Sequence, residues 1–323
     1  MSDVVQAWLR SGEYAVLDAI PLVPKNCHLD SSLPMVIESE EGLSYVLVDN
    51  IKRGWILKKF FPCQAPARAY TEAVQELIPH SSGFESGFNR EVLKRSSPSP
   101  AGFCSDEFKS WIDGTILMPQ VVAPTWADLA EAIRNQTESL LRSERLLLCW
   151  KLSKMIACLE SLGLAHRDLS SENVLIDLAN TKPHLIDWDN LYHVNLPMAS
   201  NADFGTSGYL PPFRKTDELG MTALVWEATS DRFALAILNS ELLAAQVGMS
   251  CETEGLLQQS DIDSKHGPTL SELRKTLSGR FPTALALLDQ ALDASSFAQC
   301  PSPVAWMRFV EALLPELRSI DLH

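Results

Sequence analysis

Between residues 33 and 61 the chain reads as strands. The segments PMVI (34–37), SYVLV (44–48) and GWILKKF (54–60) are rich in apolar, β-branched and aromatic residues, and Asp49-Asn50 marks the turn between the last two. Residues 4–17 form a short amphipathic lead into the first strand, and PARAYTEAVQELI (66–78) predicts a helix. The Ser- and Pro-rich run at 96–100 is a loop, and further strands are expected at 103–111 and at TILM, 115–118. Beyond that point the pattern turns helical. Thr125 is placed to N-cap WADLAEAI, residues 143–162 have the apolar spacing of a buried helix, and residues 283–314 predict two or three helices broken at Pro301-Ser302.

One stretch breaks this rhythm: AHRDLSSENVLIDLANTKPHLIDWDN, residues 165–190. Val174-Leu175-Ile176 and His184-Leu185-Ile186 predict two paired strands with a turn at Asn180-Thr181. Asp168, Asn173 and Asp187 then fall at the ends of those strands, facing one point. An oxygen-only set of this kind suits Mg²⁺, and a carboxylate left free of metal can orient a hydroxyl and take its proton.

Composition narrows the possible functions. The chain has 323 residues, 46% of them hydrophobic, enough for one large two-lobed domain or two small ones. A net charge of -14 and a pI of about 4.9 argue against nonspecific binding to nucleic acid or to an anionic membrane. Seven cysteines without a C-x-x-C pair argue against a disulfide framework or a zinc site. No secretory signal or membrane span is visible, so the expected location is cytoplasmic.

His166-Arg167-Asp168-Leu169 with Asn173, followed by Asp187-Trp188-Asp189, resembles the catalytic loop and metal-binding motif of protein kinases. Gly205-Thr206-Ser207-Gly208-Tyr209-Leu210-Pro211-Pro212 is similar to the end of that family's activation segment, and Ser230-Asp231-Arg232-Phe233 to the start of its central helix. The resemblance is specific over residues 162–236, and the D-W-D variant looks most like bacterial Ser/Thr kinase-like proteins. It implies an α+β, bilobal protein-kinase-like fold. Residues 1–118 would form an N-terminal extension and a small β-rich lobe with five strands and one helix, 119–121 a hinge, and 122–323 a larger helical lobe.

The resemblance also implies roles. Asp168 is the catalytic base, and Asn173 and Asp187 hold Mg²⁺. Lys58, at the end of a buried apolar strand, steadies the ATP phosphates, with Lys59 on the opposite face. Glu72 is the helix carboxylate paired with Lys58, and Glu76 is its competitor. Met118, Gln120 and Val121 meet the nucleotide at the hinge, and Gly42 lies in the phosphate-covering loop. Asp231 anchors the catalytic-loop backbone, and the Thr206 hydroxyl bonds to Asp168. His184 and His193 are expected to be structural, and Ser200 and Tyr192 are candidates for modification.

Several positions depart from the pattern. The phosphate-covering loop, residues 38–44, carries one glycine and three glutamates, Glu38, Glu40 and Glu41, which would repel a triphosphate unless they face solvent. Ser170 and Glu172 stand where kinases place a lysine or an arginine, and Asp189 replaces a glycine. Phe213 and Cys300 replace a buried Glu–Arg pair, so both are expected to be buried and in side-chain contact. The expected activity is transfer of the ATP γ-phosphoryl to a Ser/Thr hydroxyl of a protein substrate, slow or dependent on a regulatory partner protein. Two alternatives stand beside it. One is a pseudokinase that binds nucleotide or scaffolds; the other is a small-molecule phosphotransferase of the aminoglycoside-kinase type.

Overall fold

A computed structural model describes residues 3–27, 33–39, 41–63, 65–66, 68–196, 205–216, 222–246 and 257–318. The protein is mixed α and β, and its main sheet is curled and antiparallel. The chain divides into two compact units, Met1–His80 with Phe84–Val122, and Ser81–Gly83 with Ala123–His323. Among the described residues no helix is long and apolar enough to cross a membrane.

The first unit begins with helix α1 (Asp3–Ser11) and the hairpin β1 (Ala15–Leu17) and β2 (Ile20–Pro24). Strands β3 (Val36–Glu38), β4 (Gly42–Asp49) and β5 (Gly54–Phe60) follow, then helices α2 (Arg68–Leu77) and α3 (Glu85–Phe88). The unit closes with β6 (Glu91–Val92), α4 (Asp106–Ile112) and β7 (Ile116–Pro119). The sheet order is β1-β2-β4-β5-β7-β6, with β3 also paired to β4. Strand β4 therefore shares one edge between β2, on Leu47–Asp49, and β3, on Leu43–Tyr45. Trp8 of α1 and Phe108 of α4 are fully buried with Tyr45, Leu47, Leu57 and Leu117 of the sheet, and their rings meet edge to face at 5.1 Å.

This unit corrects two expectations. The sheet has seven strands, not five, and the described residues of the unit hold four helices, not one. The β1–β2 turn is made by Asp18 and Ala19 at positive φ, 46° and 69°, without the glycine or asparagine that would announce it. Residues 103–111, expected as a strand, instead run into α4 (Asp106–Ile112). Ser105 accepts a hydrogen bond from Phe108 N at 3.0 Å as N-cap, Asp106 and Glu107 fill the first turn, and Phe108 and Ile112 share the buried face one turn apart. Aromatic content suggested β structure here, but the cap and the i, i+4 pair decide for helix.

The second unit comprises α5 (Trp126–Arg134), α6 (Arg142–Ser161), β8 (Val174–Asp177), β9 (Lys182–Leu185), β10 (Lys215–Thr216) and β11 (Thr222–Ala223). Helices α7 (Arg232–Ala244), α8 (Gln259–Ser264), α9 (Pro268–Arg280), α10 (Pro282–Asp293) and α11 (Pro303–Arg318) complete it. Thr125 caps α5 through a full capping box with Asp128, as its position predicts. Helix α7 is buried along nearly its whole length and packs against α6, α9 and α10. On a helix buried along nearly its whole length polar groups need partners, and the candidate site is built on several of those groups, although Asn239 Oδ1 has no partner among the described residues.

Candidate active site

Asp231, the N-cap of α7, is 2% exposed, and its carboxylate accepts from His166 N at 2.6 Å and Arg167 N at 2.8 Å. Burial raises this carboxyl above the ordinary carboxylate range, against the opposing pull of His166 and the two amides. The anchoring role expected of Asp231 is thus what the geometry shows. Arg167 itself sits at φ 71°, and its guanidinium lies 4.5 Å from the centre of the Trp226 ring. The His166 ring packs edge-on to Trp188 at 5.0 Å and places Nε2 2.8 Å from the Ile186 carbonyl.

These clamps present Asp168, which is half-buried. Its Oδ1 accepts from Thr206 N at 3.0 Å and from the Thr206 hydroxyl at 2.8 Å. Asn173 Nδ2 donates to Asp168 Oδ2 at 3.0 Å and to the Asp168 carbonyl at 2.8 Å. The amide N–H groups of Asn173 are thereby committed, which leaves its Oδ1 as an acceptor. Strands β8 and β9 pair in the register Val174 with Leu185 and Leu175 with His184, and Ile186 N returns to the Asn173 carbonyl at 3.1 Å. Asp187 follows at φ 62°, and its carboxylate and that of Asp189 have oxygens within 4.8 Å of each other. Asn173 Oδ1 and these carboxylates are all hard oxygen donors, a chemistry that fits Mg²⁺.

The segment after the site is held from below. Tyr209 donates its hydroxyl to Glu241 Oε2 at 2.8 Å, and Trp126 Nε1 donates to the same oxygen at 3.1 Å. Glu241 is fully buried in α7. Burial and the Glu241 charge push the Tyr209 phenol well above its usual range. Gly208, at φ 90°, passes so close to the chain just before α8 that a Cβ would lie 2.6 Å from the Leu257 carbonyl. Gln259 spans the same place, accepting from Gly208 N at 3.0 Å and donating to the Leu210 carbonyl at 2.9 Å.

Cys300 is 2% exposed, as expected, but Phe213 is only half-buried. Its ring meets Phe297 at 5.1 Å and Phe233 at 6.4 Å, both edge to face, while Trp226 stacks on Phe297 at 5.9 Å. Phe213 therefore packs in an aromatic cluster and does not reach the full burial expected of it. The turn at Phe297–Gln299 supplies the ring, and Cys300 Sγ is 3.7 Å from the Ser296 carbonyl. Arg214 forms an ion pair with Asp263 beside this cluster.

In the first unit, Lys58 is 6% exposed and its Nζ donates to Glu41 Oε2 at 2.9 Å. The expected Lys58–Glu72 pair is not formed: Glu72 accepts from Arg68 at 3.1 Å and lies 3.8 Å from Lys94. Glu76 is exposed. Lys59, on the other face, donates to the Trp111 carbonyl at 2.6 Å, and burial lowers its pKa. Gly42 pairs with Phe60 so closely that a Cβ would lie 2.2 Å from the Lys59 carbonyl, which gives this glycine a packing reason of its own. Met118 pairs with Ile56 at the end of β7, and Gln120 N bonds to the Gly54 carbonyl at 3.0 Å. Val121 lies just before the boundary between the units.

Ser170 is fully buried, and its Oγ has no hydrogen-bond partner among the described residues. Glu172 is exposed. His184 lies in β9 and is half-buried; His193 is half-buried, with Nδ1 3.4 Å from Asn195 N; and Tyr192 is tied to Ala165 by backbone bonds. Glu40 and Ser200 lie outside the described residues. Sequence reasoning missed Glu41 as the partner of Lys58 and Glu241 as a buried anchor. A lone glutamate inside the apolar run RFALAILNSELLA was the available signal for Glu241. The chain matches no protein-family model and no curated protein.

Proposed function

We propose that the two units are the small β-rich and larger helical lobes of a protein-kinase-like fold. In this reading the protein transfers the ATP γ-phosphoryl to a Ser or Thr hydroxyl of a protein, slowly or with a partner's help. The observation that carries the reading is the state of Asp168. Its carboxylate is oriented by Thr206 and Asn173 on a loop whose backbone Asp231 holds. A carboxylate fixed in this way is preorganised to orient a hydroxyl and accept its proton as that oxygen bonds to phosphorus. Oδ2 accepts only from Asn173 among the described residues and keeps a lone pair for that proton. Mg-ATP, when bound, supplies the phosphoryl group and the charge that neutralises it. Asn173 Oδ1 and Asp187 would hold the cation, and Lys58 the phosphates.

A second reading, a nucleotide-binding or scaffolding pseudokinase, is favoured by two observations. Glu41 occupies Lys58, and the position two residues after Asp168 is a buried serine with no cation to offer. A phosphoryl-transfer assay with labelled ATP and Mg²⁺ separates the readings. Asp168→Ala is expected to abolish transfer and leave nucleotide binding intact, whereas Asp187→Ala weakens binding as well. Equal transfer by wild type and Asp168→Ala would remove Asp168 from the mechanism. Nucleotide binding without any transfer by wild type would establish the second reading.

A further inference from the structure

Away from Asp168, the second unit contains a cavity of about 410 Å³ between the start of α6, the end of α7 and the end of α9. Its walls are apolar, with Ile133, Leu140, Leu243 and Phe281, but three arginines line it, Arg142, Arg145 and Arg280. Among the described residues one carboxylate, Glu138, shares the lining. Such a concentration of cations is unexpected in a chain with a net charge of -14.

Arg145 is the informative residue. It is 8% exposed and makes no ion pair among the described residues. Its Nε donates to the Leu140 carbonyl at 3.2 Å and its Nη1 to the Leu242 carbonyl at 2.8 Å, which satisfies a backbone oxygen near the C-terminus of α7. That clamp leaves Nη2 without an acceptor among the described residues and not sealed from solvent. Burial, with repulsion from Arg280 added, pulls the guanidinium down to about 10, so it stays charged at neutral pH. Arg142 and Arg145 also sit in the first turn of a 20-residue helix, where the helix dipole disfavours cations. Glu144, whose carboxylate accepts from the Leu141 amide at 2.7 Å, offsets part of the Arg145 charge but makes no ion pair with it among the described residues. Protein groups alone therefore leave a buried, charged donor facing a cavity, with like charges beside it. An anion from outside the chain would relieve each of these costs.

We infer that this cavity binds a small organic phosphate monoester, its phosphate on Arg145 and Arg280 and its apolar body against Leu140, Leu243 and Phe281. A planar guanidinium suits phosphate oxygens, and a dianion suits the neighbouring charges of Arg145 and Arg280. The volume lies in the range of small-molecule sites. The inference does not depend on the proposed kinase activity.

Calorimetric titration of the full chain with phenyl phosphate, inorganic phosphate and phenol tests it. Phenyl phosphate is expected to bind more tightly than either fragment. Arg280→Glu changes an exposed side chain, and it is expected to weaken binding by about tenfold or more, the loss of one charged hydrogen bond. Lys275→Glu, on the same helix but outside the cavity lining, makes the same charge change and should leave the affinity nearly unaltered. Arg145→Lys should retain the fold by thermal melting and still bind less well. No heat from phenyl phosphate at millimolar concentration would overturn the site. So would equal losses in Arg280→Glu and Lys275→Glu. Inorganic phosphate binding as well as phenyl phosphate would overturn the role of the apolar wall.

Discussion

Two amides, those of His166 and Arg167, end on the single carboxylate of Asp231. Removing that carboxylate strands both in a buried place. Asp231→Ala is therefore expected to destabilise the second unit by about 2–5 kcal/mol, the cost of two unsatisfied donors, in a urea titration. Asp231→Asn keeps one acceptor oxygen but turns an N–H toward the second amide, so its loss should fall between wild type and alanine. A loss within error for Asp231→Ala would mean that water replaces the carboxylate. At this scale Asn173 was legible because its chemistry is local, bonding to Asp168 five residues away, whereas His166 and Thr206, whose partners lie 20 and 38 residues off, were legible only as members of familiar motifs. The partner of Lys58 was not. Glu41 reaches Lys58 across a β-hairpin, and that choice depends on the register that pairs Ser44 with Lys58.

Among the elements, the aromatic cluster of Phe213, Phe233, Phe297 and Trp226 joins the end of the segment after the site to α7 and to the turn before α11. Phe213 is half-buried, so Phe213→Ala should cost about 2 kcal/mol, less than a fully buried ring would. The loss of near-ultraviolet dichroism and of stability in chemical denaturation would report it; an unchanged midpoint would show that the ring contributes no packing. Strands β4, β5, β8 and β9 and helices α5, α6, α10 and α11 were readable from apolar period, caps and prolines. The β1–β2 hairpin was hidden because Asp18 and Ala19 make its turn without a glycine, and α4 because its aromatics resemble a strand. Both were settled by packing against Trp8 and Tyr45, distant in sequence from α4.

For the molecule as a whole, buried protons set the alkaline limit. Burial pushes the Cys300 thiol up to about 12 and raises Cys149 and the Tyr209 phenol as well. Below a pH of about 9 the thiols are neutral folded or unfolded, and their contribution to stability is complete. Above it the unfolded chain loses protons that the folded chain retains, so stability falls by up to about 1.4 kcal/mol per pH unit per thiol until the folded value is passed. Melting temperatures should therefore drop steeply between about pH 9 and 11, and Cys300→Ala should flatten that slope relative to wild type. An identical slope in the variant would assign the lability elsewhere. Arg145 shows what sequence could not convey at this scale, because a buried arginine facing a cavity is indistinguishable in sequence from an ordinary residue of an amphipathic helix.

Helix α7 carries Asp231 at its start, Asn239 bonded to Ser153 at 3.0 Å, Glu241 holding Trp126 and Tyr209, and the Leu242 carbonyl held by Arg145. The loop bearing Asp168 is therefore expected to open together with α7, so that its amides exchange with the slow, sub-global openings of that helix and not with the nanosecond fluctuations of ordinary surface loops.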